Sequence, residues 1–195
     1  YFSIEKYSSE NKIIKKMLKK KKISFPIVIK PVNEGSSLGV KIVKNYNHLN
    51  KSAKDLFKKY NQLIFEEYIG GQEIQAAVLN SKALGAIELI PKRSFYDYKA
   101  KYNRSAKTKH IMPANLKKTD YIKVLKISRR AHKALKCKGV TRADFKFFKN
   151  KFYLLEINTQ PGMTSLSLVP EIASYCGITF PNLIEKILLD ASINR

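Results

Sequence analysis

Hydrophobic and polar positions alternate along most of this chain with either a helical or a strand period. Residues 11–22 place apolar side chains at positions 13, 14, 17 and 18 among lysines, which is helical spacing with the lysines on the solvated face. Residues 25–32 are an apolar run closed by Pro31, and residues 39–45 are a second run. We therefore predict a helix followed by a hairpin of two strands around the segment NEGSSL.

The same two periods continue toward the C-terminus. Residues 47–60 have helical spacing, residues 62–69 return to a strand pattern, and a short turn at Asn80-Ser81 joins two further apolar runs. The remaining predicted elements are strands over 73–80 and 82–91, a helix capped at Thr119-Asp120 and running to about 136, a hairpin of 141–150 and 151–158, a helix over 165–175, and a last helix from about Thr179 with Pro181 just inside it. The order predicts an α+β fold with mostly antiparallel strands.

One long segment, residues 96–115, has no steady period and is rich in lysine and tyrosine. A loop of this length inside a compact domain is usually functional or mobile. The segment is therefore predicted to be a loop that is either functional or mobile.

The chain has 195 residues and a formal net charge of +23. Such a charge is typical of proteins that bind polyanions. Of its 38 basic residues, 32 are lysines, whereas proteins that recognise bases depend on arginine. Two interpretations of the lysines remain: they form a solvated surface, or they form a functional site for a polyanion. ATP would also be attracted by this charge. No apolar run is long enough to span a membrane, and the first residues have no signal-peptide pattern.

The two cysteines, Cys137 and Cys176, are far apart and lack the spacing of a zinc site. We expect them to be buried free thiols in a reducing cytoplasm.

Two short motifs carry the clearest chemistry. Arg142-x-Asp144 lies on one strand of the last predicted hairpin, and Glu156-x-Asn158 lies on the other. Residues two apart on a strand point to the same face, so the hairpin can present all four side chains together. Three oxygen donors beside a cation suit Mg²⁺, and Glu156 could bridge two ions at the phosphates of ATP. The alternative is a cross-strand pair of arginine and carboxylate with a capping asparagine.

A Gly-Ser loop, NEGSSLG at residues 33–39, follows Lys30. Its backbone and hydroxyl donors could close over phosphate oxygens, although it is not a Walker A loop and could be an ordinary hairpin turn. Lys30 ends an apolar strand and needs a partner, for which a nucleotide phosphate is a candidate.

In this order along the chain, the segments KPVNEGSSLGV, FYDYKAKY, TRADF and YLLEINTQPGMTSLSLVP closely resemble the ATP-grasp superfamily and, within it, the D-alanine–D-alanine ligases. The resemblance implies an ATP-grasp fold, in which two α+β lobes with mostly antiparallel sheets grip ATP between them. It implies a central lobe over residues 1–73 and a C-terminal lobe over 74–195. The family's N-terminal domain, which is expected to precede Tyr1, is absent from this chain.

The resemblance implies ligation of two D-alanines through a D-alanyl phosphate, with ATP and two Mg²⁺ or Mn²⁺ ions, for peptidoglycan precursors in the bacterial cytoplasm. It implies a homodimer at full length and no nucleic-acid or membrane partner. The implied ATP contacts are Lys30 and Ser37 near the phosphates, Glu66, Glu67 and Ile69 at the adenine, Glu73 at the ribose, and Lys101 on the long loop. Glu67 departs from the lysine often found there, but backbone contacts would survive that change.

The resemblance also implies the reacting groups. Asp144, Glu156 and Asn158 would be the magnesium ligands, and Arg142 with backbone donors near Gly162 would stabilise the charge of the intermediates. The remaining implied contacts are Ser167 and Leu168 at the carboxylate of the second D-alanine, and Tyr102 hydrogen-bonded to Ser36 and to a glutamate of the N-terminal domain. Tyr102 favours the dipeptide over D-alanyl-D-lactate.

Three other functions remain open at this point. They are a different ATP-grasp carboxylate–amine ligase, a basic nucleic-acid-binding domain, and an inactive truncated ligase.

Overall fold

The computed structural model describes residues 1–6, 11–35, 37–91, 108–164 and 166–191 of the chain. The described residues divide into two compact units, one ending at Ile69 and the other beginning at Gly70. Each unit contains an antiparallel sheet with helices, so the predicted α+β class is confirmed.

Unit 1 is built on a four-stranded antiparallel sheet in the order β1-β4-β2-β3. Its elements are β1 (Phe2–Glu5), α1 (Asn11–Lys20), β2 (Ile27–Pro31), β3 (Lys41–Val43), α2 (Tyr46–Phe57) and β4 (Gln62–Glu67). The predicted hairpin of β2 with β3 is confirmed by their antiparallel pairing. The sequence analysis did not predict β1, whose four residues are too few to establish a period before they pair with β4.

The core of unit 1 lies on one face of this sheet. Alternate residues of the strands, such as Ile27, Ile29 and Phe65, are fully buried there. The amphipathic helix α1 contributes Ile14 and Leu18, which lie four residues apart on one face. Because side chains alternate along a strand, the intervening positions of β2 and β4 point to the opposite face of the sheet.

Unit 2 is built on a five-stranded antiparallel sheet in the order β7-β6-β5-β8-β9. Its elements are β5 (Gln72–Leu79), β6 (Lys82–Ile90), β7 (Lys109–Ile111), α3 (Lys118–Ala134), β8 (Val140–Phe148), β9 (Lys151–Asn158), α4 (Leu168–Tyr175) and α5 (Phe180–Asp190). Strand β7 falls in the segment for which no period was predicted, because three residues at a sheet edge carry too little pattern.

Turn chemistry sets the registers of unit 2. Asn80 and Ser81 both have positive φ, as do Lys149 and Asn150, which is the backbone that two-residue hairpins require. The turn at Asn80-Ser81 and the hairpin between β8 and β9 are therefore confirmed. At the start of β5, Gly71 has a φ of 86°, and a Cβ there would collide with the backbone oxygen of Phe147.

The predicted helix boundaries shift slightly. Helix α3 begins at Lys118, before the predicted cap at Thr119-Asp120, and has no side-chain cap. Asp120 instead lies in the first turn, where a carboxylate stabilises the positive end of the helix dipole. Helix α5 is capped by the Thr179 side chain, which accepts a hydrogen bond from the backbone of Asn182, as the sequence indicated.

One face of the sheet in unit 2 packs against α3. Ile74 and Ala76 of β5 join Phe145 of β8 and Val124 of α3 in a buried cluster. The alternate residues of β5 and β8 therefore point to the other face, and that face carries the polar residues described below.

The last helix, α5, buries few of its side chains. Leu183 is the one buried residue of α5, whereas Phe180, Leu188 and Leu189 are 48%, 66% and 79% exposed.

Among the described residues, no helix has the length and apolar composition needed to cross a lipid bilayer.

Both cysteines are free, but Cys176 is exposed and Cys137 only half-buried, so the expectation of buried thiols was wrong. They lie just after α4 and α3, where the chain leaves the packed core.

Candidate functional site

The hairpin of β8 and β9 brings four predicted site residues together. In its register Arg142 lies opposite Asn158, and Asp144 lies opposite Glu156. Since residues two apart on a strand share a face, all four side chains lie on the face opposite the packed core. The placement inferred from the sequence is therefore confirmed, while the roles of these residues remain predictions.

Arg142 and Asp144 form a two-pronged ion pair along β8. Nε and Nη2 of Arg142 donate to the two carboxylate oxygens of Asp144 at 2.7 and 2.9 Å. The two side chains are only 15% and 8% exposed, so both are held in one geometry away from bulk water. This pair runs along one strand, and the alternative of a pair across the strands stays open beside it.

Asn158 and Glu156 differ in their surroundings. Oδ1 of Asn158 accepts a hydrogen bond from the backbone N–H of Gln160 at 3.0 Å, which orients the amide at the end of β9. Glu156 is exposed. Between Asp144 and Phe145 the register shifts, and Leu155 is the additional residue of β9. Bulges of this kind often lie beside functional sites because they redirect a side chain.

The donor set of this face fits Mg²⁺. Two carboxylates and one amide oxygen are the hard ligands that this ion prefers. Each oxygen of an ionised carboxylate has two lone pairs, so Asp144 can accept the Arg142 fork and still bind a cation. Within the described ranges no group of three or more histidine, cysteine or acidic side chains could hold a metal, so such an ion would need the amide and ligand oxygens as well.

Two further polar side chains on this face, Lys146 and Gln75, were not singled out from the sequence. Nζ of Lys146 lies 2.7 Å from Oε2 of Glu73 on the neighbouring strand β5, and both side chains are 14% exposed. Gln75, opposite Asp144, is 1% exposed, and its Oε1 has no hydrogen-bond partner in the described part of the chain. The signal that could have found them is their spacing, since each lies two residues from a predicted ligand.

In unit 1, Lys30 and Glu66 form an ion pair of 2.8 Å on the face of the sheet opposite the core. Their side chains are 30% and 28% exposed, so Lys30 has the partner that its apolar strand requires. Glu67 is exposed at the end of β4, and Ile69 is half-buried two residues later. The adenine contacts of Glu66, Glu67 and Ile69 remain predictions.

The Gly-Ser loop lies in the connection between β2 and β3. The backbone N–H of Leu38 donates to the oxygen of Gly35, and Ser37 has a φ of 64°. Of the other predicted loop residues, Ser36, Lys101 and Tyr102 lie outside the described residues.

The predicted site for the second substrate precedes α4. Ser167 is the residue before this helix, and Leu168 is its first residue and is buried. Oγ of Ser167 accepts the backbone N–H of Thr164 at 3.0 Å, and a Cβ added at Gly162 would lie 2.9 Å from that Oγ. Gly162 and Ser167 are therefore close neighbours, and the positive end of the helix dipole at this helix start suits an anion.

In unit 2, the surroundings shift the pKa values of Tyr121 and Cys176. Burial raises the pKa of the Tyr121 hydroxyl, which accepts a hydrogen bond of 3.0 Å from the backbone of Ala86. Although Cys176 as a residue is exposed, partial desolvation of its sulfur raises the pKa of the thiol, and nearby Lys82 opposes the shift. Neither group lies among the predicted site residues.

Comparison with known proteins supplies the family. The family model described as D-ala D-ala ligase C-terminus matches residues 1–189. A D-alanine--D-alanine ligase of Pelagibacter ubique is 60% identical over 186 residues, which cover 95% of this chain and 60% of that protein. A D-alanine--D-alanine ligase of Geotalea uraniireducens is 46% identical over 171 residues, which cover 87% of this chain and 55% of the relative.

Solved structures agree with the fold. A D-alanine--D-alanine ligase from Bacillus anthracis matches 97% of this chain and 60% of its own, with a TM-score of 0.82 and 33% identity. The same enzyme complexed with ATP gives a TM-score of 0.78 at 31% identity, covering 97% of this chain and 59% of that one. VanG D-Ala:D-Ser ligase from Enterococcus faecalis gives 0.81 at 27% identity, covering 95% and 54%.

The predicted ATP-grasp fold is thus confirmed, and the chain spans little more than half the length of the relatives it matches. With the family model matching nearly all of its residues, the chain belongs to the D-alanine–D-alanine ligase C-terminal family.

Proposed function

We propose that this chain takes part in the ATP-dependent ligation of two D-alanines to D-alanyl-D-alanine for peptidoglycan precursors in the bacterial cytoplasm. The γ-phosphoryl group of ATP passes to a carboxylate oxygen of the first D-alanine, which leaves ADP and D-alanyl phosphate. The amine of the second D-alanine then attacks the carbonyl carbon, the C–N bond forms, the amine loses a proton and phosphate departs.

The observation that carries this proposal is the face shared by Arg142, Asp144, Glu156 and Asn158. Arg142 is a nearly buried cation that two hydrogen bonds hold in place, so it does not need to reorient as negative charge develops on the reacting oxygens. Asp144, Glu156 and Asn158 would hold two Mg²⁺ or Mn²⁺ ions. When bound, such ions neutralise phosphate charge and orient the transferred group.

The other roles follow the family pattern. In unit 1, Lys30 and Ser37 would contact phosphate, and Glu66, Glu67 and Ile69 would contact adenine. In unit 2, Glu73 would accept a ribose hydroxyl, and Ser167 with Leu168 would bind the carboxylate of the second D-alanine. Support for the last role comes from the start of α4, where the positive end of the helix dipole favours an anion. The remaining proposed contacts are Lys101 at phosphate, and Ser36, Tyr102 and Gly162 at the reacting groups.

Calorimetric binding of ATP with and without Mg²⁺ tests the metal assignment. We expect Mg²⁺ to strengthen ATP binding to the wild-type chain. The Glu156→Gln substitution removes one ligand charge and should weaken Mg²⁺-dependent binding by about tenfold or more. The matched control is Glu185→Gln, because Glu185 is also an exposed acid but lies on α5.

Two outcomes would contradict the proposal. The metal assignment fails if Glu156→Gln and Glu185→Gln bind Mg-ATP as tightly as the wild type. The ligase proposal as a whole fails if the folded wild-type chain does not bind Mg-ATP at all.

A second candidate is a ligase with a different acceptor. It is favoured by the similarity of the fold to VanG D-Ala:D-Ser ligase, whose TM-score is close to those of the D-alanine--D-alanine ligases. Phosphate release measured with D-alanine alone, and with D-alanine plus D-serine or D-lactate, separates the two. Stimulation by D-alanine alone supports the dipeptide product.

A further inference from the structure

The ion pair of Lys146 with Glu73 lies within the face that carries the proposed metal ligands. In the register of β5 and β8, Glu73 is opposite Lys146 and Gln75 is opposite Asp144. Charge therefore alternates along β8, from Arg142 through Asp144 to Lys146, and β5 adds a carboxylate beside the last cation. This alternation keeps like charges from meeting on a face that is largely withdrawn from water.

The geometry of the pair leaves one carboxylate oxygen available. Nζ of Lys146 contacts Oε2 of Glu73 at 2.7 Å. Among the described residues, Lys146 is the one side chain that bonds to this carboxylate, and so Oε1 keeps both of its lone pairs. With 14% exposure on each side chain, the contact is screened far less than a surface ion pair would be.

We propose that Lys146 is a positioning residue that fixes Glu73 so that Oε1 accepts a ribose hydroxyl of the bound nucleotide. The proposal rests on the proposed function, in which Glu73 contacts the ribose. A glutamate side chain has several rotamers, and holding one of them before binding removes an entropic cost from ligand capture. Lys146 also offsets the negative charge of Glu73, which would otherwise repel the phosphates of the same ligand.

This role makes Lys146 a determinant of selectivity for the sugar rather than of affinity for the whole nucleotide. A nucleotide without ribose hydroxyls has nothing to donate to Oε1. Removing Lys146 should therefore weaken binding of ATP more than binding of 2′,3′-dideoxy-ATP. A lysine that merely stabilised the sheet would affect both nucleotides equally.

The test is calorimetric binding of ATP and of 2′,3′-dideoxy-ATP, both with Mg²⁺, to the whole chain. We expect the wild type to prefer ATP by about tenfold, which is the scale of one hydrogen bond to a charged group. Lys146→Met should reduce this preference to about threefold or less, while Lys146→Arg, which keeps the cation, should retain most of it. Lys151→Met is the matched control, because Lys151 is exposed at the start of β9 in the same hairpin.

An unchanged preference in Lys146→Met overturns the inference, and so does an equal loss of affinity for both nucleotides. If Lys146→Met does not fold, Lys146→Gln takes its place, and Glu73→Gln should abolish the preference by itself. Combining Glu73→Gln with the Lys146 substitution should then cause no further loss. A wild type that binds neither nucleotide overturns the proposed function and this inference with it. A wild type that binds ATP, together with a Lys146→Met variant whose preference for ATP is unchanged, overturns the inference alone.

Discussion

At the residue scale, His132 is the most unusual group outside the candidate site. It is fully buried in α3, and its Nδ1 lies 2.9 Å from Oγ1 of Thr141. Its Nε2 has no hydrogen-bond partner in the described part of the chain. Burial lowers the pKa of His132, and nearby Lys133 lowers it further, although the charge of Asp190 opposes both effects.

We predict that this histidine makes the fold less stable in acid. Its pKa is lower in the folded chain than the ordinary 6.5, so below that pH the unfolded chain binds more protons than the folded one. The free energy of unfolding should therefore decrease as pH falls from about 6.5 toward the lowered folded pKa. Urea unfolding at pH 7.5, 6.5 and 5.5 measures this loss.

The control for this prediction is His132→Gln, which has no proton to gain in that range. The variant should be less stable than the wild type at pH 7.5, but it should lose less stability between pH 7.5 and 5.5. Equal losses in the two proteins would assign the acid sensitivity to other groups.

At the element scale, the turn into β5 depends on a single glycine. Gly71 has positive φ, and the space where a Cβ would lie is already occupied by the backbone of Phe147. Backbone atoms of a paired strand cannot move aside without breaking the ladder between β5 and β8. This strand carries Glu73 and Gln75, so the turn also positions part of the candidate site.

We predict that Gly71→Ala destabilises the chain far more than Gly177→Ala. Gly177 also has positive φ, but no atom lies within 4 Å of the place of its Cβ, so alanine there adds backbone strain alone, about 1 kcal/mol. Gly71→Ala adds a steric clash and should cost about 3 kcal/mol or more. Thermal or urea unfolding of both variants gives the comparison, and equal costs would show that the strand shifts freely.

The elements show what sequence patterns can and cannot supply. Long periodic segments were predicted correctly, including the β8–β9 hairpin, because its two motifs and its turn gave consistent signals. The short strands β1 and β7 were missed, since pairing with a neighbour rather than a local pattern makes them strands. The register shift that leaves Leu155 unpaired also has no sequence signal of its own.

The same limit applies to the candidate site. Arg142-x-Asp144 was visible because both residues lie on one strand, and Glu156-x-Asn158 was visible for the same reason. The pairs of Lys146 with Glu73 and of Lys30 with Glu66 join residues that are far apart along the chain, so they become evident only from the sheet register. Sequence reasoning singled out Lys30, Glu66 and Glu73 individually, but it did not predict these two pairs.

At the scale of the whole molecule, the formal net charge of +23 is the dominant feature. Excess charge of one sign destabilises a compact state through self-repulsion, and salt screens this repulsion over a distance of about 10 Å at 0.1 M. We therefore predict that raising NaCl from about 20 to 200 mM increases the urea concentration needed for half-unfolding. Urea titrations at several salt concentrations give the slope.

The control for the salt prediction is the double variant Lys12→Glu/Lys16→Glu on the exposed face of α1. Each substitution changes the charge by two units, so the net charge falls from +23 to +19. The salt slope should become smaller. A salt-independent midpoint in the wild type would mean that the ion pairs, which salt weakens, balance the repulsion.

The light packing of α5 has a consequence for how the molecule opens. With Leu183 as its one buried residue, this helix has little apolar area to lose when it separates from the rest of unit 2. Its amide hydrogens should therefore exchange with deuterium through a local opening, long before those at the centre of β5 and β8 exchange. Deuterium uptake followed by peptide mass spectrometry would then report α5 as a separate exchange unit, and a protease could remove it while both sheets stay folded.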